Sequence, residues 1–261
     1  MEGRFSLVSW NVNSLRARWP LVIALLEQEK PDILLLQETK IEDAIFPEEA
    51  LGDYGYNLLF YGQKSYNGVA ILSKFPFEEH QRGFPGDGGE ARYLEVVVRG
   101  RRIANLYAPN GQAVETPAYE RKLSFYAALR EHVRVRLASK DFFVIAGDSN
   151  VAPTDADVYN PQELAGQVPC TEPERAAFSA LLEEGMTDAF RTLPPSLGPC
   201  FTWWDYRRRS FDPTKGRRID QVLLSPQALE ESAGSGNVLL AYRTLPRPSD
   251  HAPLRWEFGD F

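Results

Sequence analysis

The chain has 261 residues, 43% hydrophobic and 25% charged, a balance that can bury a sizeable core and a length that one β-rich domain can use without dividing. Taken alone, a net charge of −7 argues against a nucleic-acid partner, although local charge can oppose the total, and two cysteines, Cys170 and Cys200, are too few for a disulfide framework or a cysteine-rich zinc site. No apolar run is long enough for a signal sequence or a membrane span, so a cytoplasmic monomer of one domain, 1–261, with both thiols reduced, is the expectation. In chain order, apolar and alternating runs predict strands at 4–10, 32–37, 56–61, 68–73, 92–98, 102–108, 142–147, 219–225 and 252–258. Helices are predicted at 17–29, with Pro20 tolerable only in the first turn, at 117–138, opened by Pro117, and at 173–184, opened by Pro173. The loop "GFPGDGG" and the stretch 155–171 read as irregular. No repeat, low-complexity tract or linker divides the chain, and the mixture fits two packed sheets flanked by helices.

Polar residues recur where apolar runs stop: "VSWN" at Asn11, "LLLQE" at Glu38, "NLYAPN" at Tyr107 and Asn110, "VIAGDSN" at Asp148 and Asn150. Two strand starts add "RID" at Asp220 and "SDH" at Asp250 and His251. Each has a bland alternative: Asn11 and Asn150 as turn residues, Glu38 as a surface charge, Asp148 as a cap, Asp220 as a partner of Arg218, Ser249 or Asp250 as a cap. In antiparallel sheets one strand's end lies beside the next strand's start, so the whole set can meet at one edge. Carboxylates and side-chain amides are hard oxygen ligands suited to Mg²⁺ or Mn²⁺, whereas zinc wants more histidine or cysteine. A cation so held bridges phosphate oxygens and assists a departing alkoxide, which makes phosphodiester hydrolysis the natural reaction. Against the overall charge, "YRRRSFDPTKGRR" gathers Arg207, Arg208, Arg209, Lys215, Arg217 and Arg218 against Asp212, and reads as either a solvated loop or a phosphate track.

The stretches "SWNVNSLRAR", "PDILLLQETK", "GQKSYNGVAILSK", "GFPGD", "NLYAPNGQ", "GDSNVAPTDAD", "FTWWDYR", "RIDQVLLS" and "PSDHAPL", in this order, resemble the exonuclease III family of abasic-site endonucleases within the DNase I-like endonuclease/exonuclease/phosphatase superfamily. The resemblance implies a four-layer α/β sandwich of two mixed sheets flanked by helices, with the active site at one edge. It implies Glu38 as principal metal ligand with Asn11 and Asp250 near it, and Asp148 orienting the attacking water beside Asn150. A second ion near Asp148 and Asn150 is left open. Tyr107 and His251 would meet the phosphate, the histidine at the metal edge and oriented by Asp220. Adjacent strand residues point to opposite faces, so Asp250 is a poor side-chain partner for His251.

By the same resemblance, Lys64, Tyr66, Asn67, Arg92, Asn110 and Gln112 would hold duplex DNA, and Trp203 with Ile219 would wall a pocket for an extruded base-free sugar. On residue type alone these are ordinary loop residues and core aromatics, Trp204 included. Two positions depart from the family pattern: Ser149 replaces a larger apolar residue, and Arg217 stands where tryptophan or leucine is usual. Arg217 is expected to turn from the pocket toward the DNA backbone. The implied activity is Mg²⁺-dependent cleavage 5′ to abasic sites in double-stranded DNA, with 3′-to-5′ exonuclease or 3′-end cleaning, Mn²⁺ substituting. The rivals are another phosphoesterase of the superfamily, acting on phosphoinositide, lipid or RNA, and a catalytically silent DNA-binding module.

Overall fold

The computed structural model describes residues 4–194, 200–206 and 211–259. The strands are β1 (Phe5–Asn11), β2 (Ile33–Gln37), β3 (Asn57–Tyr61), β4 (Val69–Ser73), β5 (Glu79–Arg82), β6 (Tyr93–Val98), β7 (Arg101–Tyr107), β8 (Phe143–Asp148), β9 (Thr187–Asp188), β10 (Asp220–Leu224), β11 (Ser232–Val238) and β12 (Leu254–Phe258). The helices are α1 (Leu15–Gln28), α2 (Glu48–Gly52), α3 (Pro117–Leu137), α4 (Pro161–Leu164), α5 (Glu172–Glu183), α6 (Pro226–Glu230) and α7 (Ala241–Thr244). Two six-stranded mixed sheets result, ordered β11-β12-β1-β2-β4-β3 and β5-β6-β7-β8-β10-β9.

Alternation along the central strands sorts the core into layers. Phe5, Leu7, Ile33, Leu35, Ile103, Val144, Ala146, Val222 and Trp256 fill the space between the sheets. The opposite faces pack outward: Val8, Trp10, Leu34 and Leu36 against α1, and Phe143, Ile145 and Leu223 against α3 and α5. Helix, sheet, sheet and helix make the expected four-layer sandwich. One polar clasp crosses the middle, where Gln37 Nε2 donates to Asn105 Oδ1 at 2.8 Å and Asn105 Nδ2 donates to the Leu36 and Ala70 carbonyls. Gly147, with φ +149°, lies against β7 so closely that a Cβ would sit 1.9 Å from the Leu106 carbonyl oxygen, so only glycine can precede Asp148 there.

Three strands escape the sequence reading, and all are edges. β5 reads "EHQR" and β11 reads "SAGSGNV", neither with an apolar alternation, and β9 has two residues. Pro20 is the sixth residue of α1, beyond the first turn, contrary to expectation. It is exposed, so the Arg16 carbonyl that loses its helical partner can hydrate. The stretch 155–171 holds a 3₁₀ turn at Asp155–Asp157 and the short α4, more order than its composition suggests. No helix among the described residues is long and apolar enough to cross a membrane.

Candidate active site

The polar strand ends do gather at one rim. Asn11 stands opposite Gln37 and Tyr107 opposite Asp148 in parallel pairs, while Asp220, opposite Asp148, arrives antiparallel, as do Asp250 and His251 ahead of β12, which runs antiparallel to β1. Asn11, Tyr107, Asp148 and Asp220 are in phase with the residues that fill the space between the sheets, so each carries that inner face to the rim. Glu38 follows Gln37 and is out of phase, but its φ of +51° breaks the alternation.

Hydrogen bonds tie the cluster together. Asn11 Nδ2 donates to Glu38 Oε1 and to Asp148 Oδ2, both at 2.9 Å. Asp148 Oδ1 accepts the Asn150 backbone N–H at 2.9 Å, and Oδ2 accepts Asn150 Nδ2 at 3.3 Å. His251 Nδ1 lies 2.8 Å from Asp220 Oδ2, and its Nε2 stands 3.7 Å from Asp148 Oδ2, too far for a hydrogen bond. Asp250 turns the other way, accepting from Asn13 Nδ2 and Trp203 Nε1 at 3.0 Å each. The two neighbours serve opposite sides of the rim, as alternation requires. Ser249 Oγ fixes the junction by donating to the Asn11 carbonyl at 2.6 Å and accepting the His251 N–H. Asp220 does not pair with Arg218, whose guanidinium is buried between Asp157 and Asp188.

The electrostatics follow from burial. Asp148 is 1% exposed, and desolvation raises its pKa, helped by Asp220 and Glu38 and opposed by His251 and Asn11. Burial opposes charge on His251, but Asp220 and Asp148 outweigh it and raise its pKa. The Tyr107 phenol is held well above its usual value by burial, with Glu38 and Asp148 adding to the shift.

Asp148, Asp220 and His251 form a buried acidic and histidine group that could bind a metal. A second set, made of oxygens, is also a candidate for a hard cation. Glu38 Oε2 lies 3.0 Å from Lys40 Nζ, the same ammonium donates to Asn13 Oδ1, and Asn13 in turn donates to Asp250. Carboxylate and amide oxygens already converge on a cationic nitrogen there. Asn13 and Lys40 were missed in sequence because each reads as a polar residue in a loop; the repeated Asn in "WNVN" was the available signal.

Beside Tyr107 opens a cavity of about 470 Å³, bordered by Tyr66, Asn67, Arg92, Asn110 and Gln112, which brings these expected DNA contacts to one place. Tyr66 is 72% exposed, whereas Asn67 is buried and Arg92 is bound to Glu90 and lies over the Tyr107 ring, 4.8 Å from its centre. Lys64 is exposed on the same loop. Asn110 is spent locally, donating to Asn150 Oδ1 at 3.0 Å and accepting the Gln112 N–H at 3.1 Å.

On the other side Ile219 joins Ala152, Val158, Leu164 and Cys170 in a small apolar cluster, and Trp203 packs on it half-buried, while Trp204 is a core residue. The Arg217 guanidinium lies over the Trp203 ring, 4.8 Å from its centre. Arg218, 2% exposed, is neither solvated nor a phosphate contact. Arg207, Arg208 and Arg209 lie outside the described residues. Ser149 compensates for its small size with hydrogen bonds, donating from Oγ to the Ile219 carbonyl at 2.9 Å.

The model of the endonuclease/exonuclease/phosphatase family matches residues 8–251. Exodeoxyribonuclease III of Haemophilus influenzae is 34% identical, over 96% of this chain and 98% of its own length. Among solved structures, the 3′-phosphatase NExo of Neisseria bound to a product DNA hairpin superposes with a TM-score of 0.93 at 39% identity, covering 97% of this chain and 99% of that one. An AP endonuclease from Archaeoglobus fulgidus gives a TM-score of 0.92 at 33% identity, covering 98% and 100%. The chain therefore belongs to the endonuclease/exonuclease/phosphatase family, on its exodeoxyribonuclease III and AP endonuclease branch, and is a nuclease.

Proposed function

We propose that the protein hydrolyses the phosphodiester 5′ to abasic sites in duplex DNA and trims or cleans 3′ ends, with Mg²⁺ as its cation and Mn²⁺ as a substitute. The observation that carries this reading is the array Asp220–His251–Asp148–Asn11–Glu38, a run of hydrogen bonds and close charges, buried except at Glu38, that ends where carboxylate and amide oxygens meet Lys40. Glu38 and Asp250, with Asn13 and Asn11 between them, would hold the cation, which when bound neutralises phosphate charge and stabilises the leaving alkoxide. Asp148, carrying a raised pKa, takes the proton of the attacking water, and Asn150 fixes the carboxylate through two hydrogen bonds. His251, kept protonated between two carboxylates, donates to the phosphate. Tyr107, with its proton held on, donates to the same phosphate.

The test is a labelled duplex carrying one abasic analogue, incubated with and without EDTA beside an intact duplex and single-stranded RNA. Incision at the analogue that EDTA abolishes supports the reading, and preferential cleavage of the RNA overturns it. Glu38→Ala should raise the Mg²⁺ concentration for half-maximal rate, with Mn²⁺ restoring part of the activity. A metal titration that overlays the parent's would remove Glu38 from the cation site.

One observation favours 3′-end processing over abasic incision as the main activity. Arg217 caps the Trp203 face that a base-free sugar would need, and the NExo structure at 39% identity is that of a 3′-phosphatase. Arg217→Trp should raise the ratio of abasic incision to 3′ trimming several-fold by restoring an apolar wall. Because the guanidinium is held over the ring, the salt slope of duplex binding should barely move. A fall of about one in that slope would mean that Arg217 reaches a phosphate.

A further inference from the structure

Behind the catalytic rim lies a buried support that no role above uses. Lys122 and Tyr126 stand one turn apart on the inner face of α3 and are 0% and 1% exposed. Lys122 Nζ donates to the Asn150 carbonyl at 2.6 Å, to the Asn110 carbonyl at 3.2 Å and to Glu174 Oε1, while the Tyr126 hydroxyl donates to the Ser149 carbonyl at 2.6 Å. These three carbonyls belong to the two turns that leave β7 and β8. Asn150 sits in the left-handed region at φ +52°, so its turn needs holding. Its side chain has no freedom either: Oδ1 accepts from Asn110, and Nδ2 donates to the Ala108 carbonyl and to Asp148. Space around the Lys122 stem is tight, since a Cβ at Gly111 would lie 2.9 Å from Lys122 Cδ.

We infer that Lys122 and Tyr126 are positioning residues that hold the Ser149–Asn150 turn and the Asn110 turn as one unit, setting the aim of the Asp148 carboxylate. An ordinary latch between α3 and α5 would need only Lys122 and Glu174, and would not spend two ammonium N–H groups on carbonyls of the catalytic turns. Burial lowers the Lys122 pKa, opposed by Glu174 and Asp148, and the group remains a donor in either protonation state. The unit acts through geometry, because a carboxylate misaimed by about an ångström can cost on the order of 10²-fold in rate.

The inference rests on the reading of Asp148 and Asn150 given above, and the full-length protein can separate the two. Single-turnover rates on an abasic duplex, duplex affinity and melting temperature are measured for Lys122→Met, Tyr126→Phe, Glu174→Gln and Asn150→Ala. Expected are a rate loss of about 10- to 100-fold for Lys122→Met and a smaller loss for Tyr126→Phe, which is conservative enough to fold, with affinity unchanged. Glu174→Gln should lower the melting temperature but keep the rate within about threefold, since the carbonyl contacts survive. Lys122→Met combined with Asn150→Ala should be no slower than Asn150→Ala alone. Equal rate losses in Lys122→Met and Glu174→Gln, or a parental rate in Tyr126→Phe and in any folded Lys122→Met, would leave only a structural latch and overturn the inference. A parental rate in Asn150→Ala would overturn the reading beneath it.

Discussion

Asp148→Asn is expected to lower the single-turnover rate by on the order of 10²-fold or more while duplex affinity stays within a few-fold. The carboxylate is the acceptor for two amides, Asn11 and Asn150, and for the Asn150 backbone N–H. An amide in its place has one accepting atom where two are needed, so it loses the base and also faces a neighbouring donor with an N–H. The substituted side chain is 1% exposed and belongs to the rim's interior, which leaves the outer loops free to bind DNA as before. The same change has a second reading. The pKa of Asp148 is raised by burial, so the ionised form costs stability at every pH above that raised value. Removing the charge relieves that cost, while the amide's clash with a neighbouring donor and the lost support for the His251 proton offset it, so the melting temperature at pH 8 should stay close to the parent's. Equal losses of affinity and rate, or a clear fall in melting temperature, would make Asp148 a structural residue.

The parts legible in the sequence were those that repeat a physical pattern. Central strands such as β2 and β8 are unbroken apolar runs because they are covered on both faces, and each stops abruptly at a polar residue because the core stops there. That is why Asn11, Tyr107, Asp148 and Asp220 stood out. The edge strands β5 and β11 bury little and so show no pattern. Residues whose partners are distant in sequence were equally hidden. Lys122 looks like a surface lysine on a helix, and Arg218 like one more charge in a basic loop, yet each is buried against carboxylates 52, 61 and 30 residues away. Family resemblance supplied the roles of the rim residues but not this support. The direction of Arg217 depended on a stacking partner 14 residues away, visible only once the Trp203–Arg217 bridge had formed.

His251→Ala and Asp220→Ala are each expected to lower turnover by about 10²- to 10³-fold, the range for losing one donor to a developing charge, and the double variant should be little worse than either. The argument starts from burial. The ring is 4% exposed, and burial alone would keep it neutral. Asp220, 2.8 Å from Nδ1, and Asp148, beside Nε2, reverse that and hold the proton on, with Nε2 the nitrogen left for the phosphate. Without Asp220 the ring loses the strongest stabiliser of its positive charge and the hydrogen bond that fixes its rotation. Without His251, Asp220 keeps the Thr202 hydroxyl against its backbone N–H but loses its side chain's cationic partner inside the rim. An unpaired buried carboxylate costs about 3–5 kcal/mol, so His251→Ala should also melt at a lower temperature and must be assayed well below it. Asp220→Asn, which can still accept from Nδ1 but brings no charge, should fall between parent and Asp220→Ala. His80→Ala, on the exposed edge strand β5, is the control and should turn over at the parental rate. Losses that add in the double variant would mean that the two residues act separately, and the pairing of Asp220 with His251 would then be a feature of packing and not of catalysis.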